Sequence, residues 1–154
     1  MFTIKSLKAF IIVATCLGLA LLLSFCNRER ATDSITVGQD NYGFMRFGGI
    51  ERTYHIHFPP SYDETKPAPL LLAFHGLGGN GKWMEGGTIL DDIADKKGFI
   101  VVYRDGYKSS WSDGSGASPS GRDAIDDVGF VSALIDKLAK ELRIDLNRFY
   151  ATGF

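Results

Sequence analysis

The chain has 154 residues, with 17 Lys+Arg against 18 Asp+Glu and a formal net charge of -1, so no strong field points toward nucleic acid or an anionic membrane surface. Hydrophobic residues make up 45% and charged residues 23%, which excludes a largely disordered chain and supplies material for a packed core. The 18 glycines fall in clusters rather than at a fixed period, which excludes a collagen-like repeat and points to functional loops.

The first segment reads as an address. Lys5 and Lys8 precede an uncharged run from Ala9 to Asn27, and Arg28, Glu29 and Arg30 follow it. That is the order of a secretory n-region and h-region, so residues 1–26 are expected to be a signal peptide or an N-terminal membrane anchor. Leu23-Ser24-Phe25-Cys26 resembles a lipoprotein box apart from the bulky Phe25, which adds lipid attachment at Cys26 as an alternative. Both cysteines, Cys16 and Cys26, lie in this segment, so the exported domain would rest on packing without an internal disulfide. A secreted or periplasmic location follows, with membrane contact only through residues 1–26.

Residues 27–49 are polar and glycine-containing and read as a tether, with the domain proper expected from Ile50. From Arg52 to Phe58, Tyr54, Ile56 and Phe58 alternate with Thr53, His55 and His57, the pattern of a half-buried strand that Pro59 and Pro60 end. The apolar run Pro69 to Phe74 predicts a strand buried on both faces. A helix is expected next, with Thr88 as N-cap, Asp91 three residues on, apolar Ile89, Leu90, Ile93 and Ala94, and Lys96 and Lys97 before Gly98. Phe99 to Tyr103 is a second buried strand, completing a βαβ unit. Residues 104–125 form a long loop of Gly, Ser and Asp around Trp111, and loops of that length inside a compact domain are usually functional. A helix then starts at Asp126 or Asp127 with a stripe at Val128, Val131, Leu134, Ile135, Leu138 and Leu142, and a third strand opens at Phe149. The pattern is α/β.

The segment Gly76-Leu77-Gly78-Gly79-Asn80-Gly81-Lys82-Trp83 after the second strand admits three chemistries. As GxGxxG it uses Gly76, Gly78 and Gly81, with Asp105 near the place of the ribose-binding acid, but the helix is expected only from Thr88. As GxxxxGK it uses Gly76, Gly81 and Lys82, but Trp83 stands where a hydroxyl must bind Mg²⁺. Read as His75-Gly76-Leu77-Gly78-Gly79, it is an HG-type loop whose Leu77 amide is aimed at the oxyanion of a tetrahedral intermediate. Gly76 and Gly78 permit that turn, and His75 holds the loop rather than acting as a base.

His55 and His57 share a strand face at ligand-like spacing, yet no carboxylate or cysteine cluster adjoins them in sequence, so an ordinary polar face and no metal site are expected. Asp126 and Asp127 suit a helix cap, and Asp105 suits the turn after its strand. Ser115, Ser118 and Ser120 lie among glycines without a GxSxG pattern and read as solvent-facing. Trp111 either lines an acyl or aromatic substrate pocket or pins its loop to the domain.

Six blocks together resemble the secreted polyhydroxybutyrate depolymerase-like esterases, close to feruloyl and acetylxylan esterases within the α/β-hydrolases. They are Gly49 to Pro59, Pro69 to Gly79, Gly98 to Gly106, Ser110 to Gly114, Asp126 to Phe130, and Asp145 to Gly153. Leu77 stands where some relatives carry cysteine, and Arg104 where proline is common, which leaves the sheet intact and bears only on the local turn. The resemblance implies that residues 50–154 are the N-terminal part of an α/β-hydrolase sheet with flanking helices. It also implies a Ser-His-Asp acyl-enzyme mechanism needing no cofactor. Gly153 and Phe154 match the first two residues of the GxSxG elbow, so the serine, acid and histidine would lie past residue 154 and this polypeptide would be inactive by itself. The expected partner is an ester: polyhydroxyalkanoate, feruloyl-polysaccharide, acetyl-xylan or a small soluble ester. The alternatives are an exported or tethered binding module without chemistry and a nucleotide-binding βαβ protein.

Overall fold

The computed structural model describes residues 35–37 and 41–153; the expected signal or anchor segment lies outside them. Five strands, β1 (Asn41–Phe47), β2 (Ile50–His57), β3 (Ala68–Phe74), β4 (Ile100–Arg104) and β5 (Ile144–Gly153), form one sheet in the order β1-β2-β4-β3-β5. β1 and β2 run antiparallel, as do β2 and β4, whereas β3 is parallel to both β4 and β5. The helices are α1 (Gly81–Gly86), α2 (Leu90–Lys97), α3 (Pro119–Arg122) and α4 (Asp127–Glu141). Among the described residues no helix is long and apolar enough to cross a membrane.

The period-2 alternation of the strands sorts the core into two layers. Tyr54, Ile56, Leu70, Leu72, Ile100 and Val102 pack with Phe130, Leu134 and Leu138 of α4. Ala73, Val101 and Tyr103 point the other way and pack with Met84 of α1 and Ala94 of α2. Both faces of β3 and β4 are therefore covered, which is why their sequences read as continuous apolar runs. α2 ends as expected: Gly98 adopts φ 74°, and its amide donates to the Ala94 carbonyl.

Several expectations are corrected. The sheet begins at Asn41, so the tether reading fails for residues 41–47, which form β1 as a seven-residue hairpin arm against β2. Gly43 made that arm look like linker, but Tyr54 opposite it needs the space, since any Cβ at 43 would fall inside the phenol ring. α2 starts at Leu90 with Ile89 rather than Thr88 at its N-cap, and no side chain caps it. A helix the sequence did not announce, α1, starts earlier, with the Asn80 side chain accepting from the Trp83 amide. In α4 the expected stripe from Val131 to Leu142 packs on the core, but Val128 is exposed, while Phe130 and the charged Asp127 are buried. The face of His55 and His57 is not an ordinary polar one, because α1 and α2 cover it. Glu85 lies 2.6 Å from His55 Nδ1, and Asp95 lies 2.8 Å from His57 Nε2.

Between sheet and α4 lie two buried arginines and one buried carboxylate, which pairs with only one of them. Arg52 pairs with Asp127 at 2.7 Å and lies 4.0 Å over the Phe130 ring. Arg104 is fully buried, stacked 3.3 Å over Phe74, and its guanidinium nitrogens have no hydrogen-bond partner among the described residues. Burial, then the neighbouring Arg52 charge, pushes Arg104 down to about 9, with Asp127 opposing. The folded state thus holds this proton less tightly than the unfolded chain, so the charge lowers stability at neutral pH, and that cost is relieved as pH rises past about 9. Arg104→Met is accordingly expected to stabilise the fold by about 1–3 kcal/mol at pH 7 in urea unfolding, with a smaller gain at pH 10. Destabilisation at pH 7 would show that the charge has a compensating partner.

Candidate active site

The carboxyl ends of β3 and β4 carry the candidate chemistry, where ligands bind in open parallel sheets. β3 ends at Phe74 and the chain turns through His75 to Asn80 before entering α1. His75 is buried and uses both ring nitrogens. Its Nε2 accepts from the Gly106 amide at 2.9 Å, and Nδ1 lies 2.7 Å from the Gly76 carbonyl. An amide only donates and a carbonyl only accepts, so the proton must reside on Nδ1 and the Nε2 lone pair is consumed. His75 therefore cannot take a proton from a nucleophile while these bonds stand. It ties the turn after β3 to the turn after β4.

The rest of the loop is fixed by its backbone. The Gly78 amide donates to the Ser109 carbonyl at 2.8 Å, and the Gly79 amide donates to the Gly76 carbonyl at 3.0 Å. Gly78 has φ +83°, a region that glycine enters without strain. The Leu77 amide has no hydrogen-bond acceptor among the described residues, and its side chain is 77% exposed. The loop thus presents a backbone donor held in place by neighbours that are already satisfied, the feature an oxyanion site requires.

Two clefts meet at Gly76 and Leu77. One, of about 340 Å³, runs along the loop to Trp83; the other, also about 340 Å³, is bounded by His75, Trp111, Asp113 and Ser118. Trp111 pins its loop to the domain and also stands at a cleft. It borders the second cleft, and its Nε1 donates to the His75 carbonyl at 2.9 Å while its ring meets Phe74 edge-on.

The nucleotide readings lose their phosphate site. α1 does start within the glycine loop, contrary to expectation, but its first amides are taken. Asp105 Oδ1 accepts from the Gly81 amide at 2.7 Å, and Asn80 accepts from Trp83. A carboxylate standing where a phosphate would sit repels it. Asp105 also accepts from the Thr53 hydroxyl, so it serves the turn, as expected.

The loop serines are not uniformly solvent-facing. Ser115 is exposed, but Ser118 caps α3 by accepting from Gly121, and Ser120 is buried with its hydroxyl on Asp127 at 2.5 Å. Ser110 is buried as well, accepting from the Ser120 amide. Asp126 caps α4 by accepting from Gly129 at 2.8 Å. Asp127 instead gathers Arg52, the Ser112 amide and Ser120, a role invisible in sequence because its partners lie up to 75 positions away. Gly106 was likewise missed; a Cβ there would collide with the Ser110 carbonyl.

β5 completes the arrangement. It lies parallel to β3 with Gly153 opposite Phe74, and a Cβ on Gly153 would come within 2.8 Å of the Phe74 carbonyl. The end of β5 thus reaches the level at which the His75 loop begins.

No protein-family model matches the chain. It is 32% identical over 111 residues to a bifunctional acetylxylan esterase/xylanase of Neocallimastix patriciarum, covering 72% of this chain and 15% of that protein. It is 31% identical over 99 residues to feruloyl esterase B of Piromyces equi, covering 64% and 18%. A solved ferulic acid esterase of Anaeromyces mucronatus superposes with a TM-score of 0.55 at 16% identity, over 81% of this chain and 53% of that one. The sheet is that of an α/β-hydrolase. The sequence relatives are carboxylic ester hydrolases, of which this chain spans less than a fifth in the two cases above.

The His75 geometry yields a direct check. Ring ¹⁵N shifts of His75 are expected to show the Nδ1–H tautomer, and His75→Phe, which leaves the Gly106 amide unpaired, should cost about 1–3 kcal/mol in urea unfolding. An Nε2–H tautomer would contradict the assigned bonds.

Proposed function

We propose that this chain forms the oxyanion-side portion of a carboxylic ester hydrolase that works through a serine acyl-enzyme. The observation carrying the proposal is the Leu77 amide, presented without an acceptor among the described residues on a loop that His75 and Ser109 hold in place. A carbonyl oxygen that becomes negative on attack needs such a preorganised donor, whose loss typically costs about 10²–10³ in rate. Gly76 and Gly78 keep the approach to that amide open.

The nucleophile is proposed to follow Phe154 in the encoded protein, in an elbow that begins at Gly153. That position suits the chemistry: β5 is parallel to β3 and its end is level with Phe74, so an elbow there would rise beside the Leu77 loop. A histidine base and an orienting acid would complete the triad from later segments. Among the loop serines, Ser110 and Ser120 are committed to buried hydrogen bonds and Ser118 caps α3, which favours a nucleophile from outside this loop.

The names of the sequence relatives make feruloyl- and acetyl-polysaccharide esters the first substrates to test, ahead of polyhydroxyalkanoates. We further propose export, because residues 1–26 carry the n-region and h-region pattern and the relatives' polysaccharide esters are extracellular polymers. Trp111, at the rim of the second cleft, is proposed to bound the part of the substrate that lies there.

The 154-residue polypeptide is expected to hydrolyse neither methyl ferulate nor p-nitrophenyl acetate. Protein expressed from the whole reading frame is expected to hydrolyse at least one of them and to lose that activity to a serine-directed phosphonate. Hydrolysis by the 154 residues alone, abolished by the same phosphonate, would overturn the assignment of the nucleophile.

A further inference from the structure

The cavity on the other side of segment 79–82 has no part in the ester chemistry. It encloses about 260 Å³, and Gly79 and Asn80 border both it and the Trp83 cleft. Its floor is a cross-strand pair: Tyr42 on β1 stacks on His55 on β2, ring centroids 4.2 Å apart and planes 22° from parallel. Tyr42 nevertheless remains 62% exposed, so one ring of the stack still offers apolar area to a ligand. His55 is more than nine-tenths buried and borders the cavity, and its Nε2 has no hydrogen-bond partner among the described residues. A buried ring nitrogen left without a partner is costly unless something supplies one.

Tyr54 and Tyr103 also line the cavity, and the other side chains of its wall are polar of both kinds. Lys82 places its ammonium 5.9 Å from the Tyr42 ring centroid. Asn80 spends its side-chain oxygen on the Trp83 amide, which leaves its NH₂ as a donor. Ser109 and Asp105 also line the cavity. Charge is balanced rather than one-signed: Lys82 and Asp105 both line it, and Glu85 lies 2.6 Å from His55 Nδ1. That balance disfavours a free anion. A metal ion is disfavoured too, since no three suitable ligands are grouped among the described residues.

A small aromatic platform ringed by interleaved donors and acceptors without net charge matches a neutral polyhydroxyl ring, whose faces are C–H and whose rim is hydroxyl. We propose that this cavity is a saccharide-binding site, sized for a single pyranose unit. Tyr42 takes one face of the sugar, and His55 Nε2, Lys82 and Asn80 take its hydroxyls. A sugar bound there lies against the back of the segment leading from Leu77 into α1. The site stands on its own lining residues, whether or not the chain belongs to an esterase.

The test is titration of the ¹⁵N-labelled 154-residue chain with xylose and xylobiose, followed by amide shifts. Saturable shifts are expected at Tyr42, Asn80, Lys82 and Ser109. Tyr42→Ala should weaken binding by about fivefold, and Lys82→Met should weaken it by a smaller factor. Both side chains are exposed, and an otherwise unchanged spectrum verifies the fold of each variant. Absence of saturable shifts would overturn the proposal. So would shifts confined to Trp83 or Trp111, binding indifferent to both substitutions, or displacement of the sugar by millimolar acetate or benzoate, which would make this an anion site.

Discussion

Gly106 donates to His75 Nε2 while His75 Nδ1 donates to the Gly76 carbonyl, so a single buried ring couples the ends of β3 and β4. The carbonyl of the same residue receives the Trp111 indole, which brings residues 104–125 under that control as well. Remove these bonds and the turn after β3 is left to the Gly78 and Gly79 amides and to the bonds Asn80 makes with α1. The orientation of the Leu77 amide depends on this arrangement. The exposed Leu77 amide of that loop thus rests on an imidazole whose two ring nitrogens are both committed beneath it.

Two carboxylates do for the surroundings what His75 does for the loop. Asp105 joins β4 to the start of α1 and to Thr53 of β2, and thereby occupies the helix end that a phosphate would need. Asp127 joins α4 to Arg52 of β2 and to Ser112 and Ser120 of the long loop. The loop is long but not loose, because its polar groups bind back to the framework at residues fixed by sheet and helix. Arg104 departs from this economy: it is buried against Phe74 without a hydrogen-bond partner among the described residues, and its stacking on an aromatic face offsets only part of the desolvation.

What was legible in the sequence was whatever is decided locally. The apolar runs of β3 and β4, the stripe of α4 and the glycine stop after Lys97 each follow from a period or a cap. So did the Leu77 loop, because glycine clustering after a buried strand is itself a backbone signal. β1 was hidden because Gly43 is required by Tyr54, eleven positions on, and Tyr42 and Phe44 stay exposed. α1 was hidden because six residues carry no amphipathic period and its start is fixed by Asp105 from 24 residues away. The burial of His55, Ser120 and Asp127 depends on partners from other elements, which no local pattern encodes.

The proposed ester hydrolysis pairs the Leu77 amide, as oxyanion donor, with a β5 end level with the start of its loop, and it stands on a serine elbow joining them. Reading the coding DNA past codon 154 tests this most directly. The account predicts a serine codon directly after Phe154, then any residue and a glycine, with aspartate and histidine codons further on in frame. A stop codon, or any other residue in the serine's place, would contradict it and leave the Leu77 amide as a feature of a non-catalytic fold.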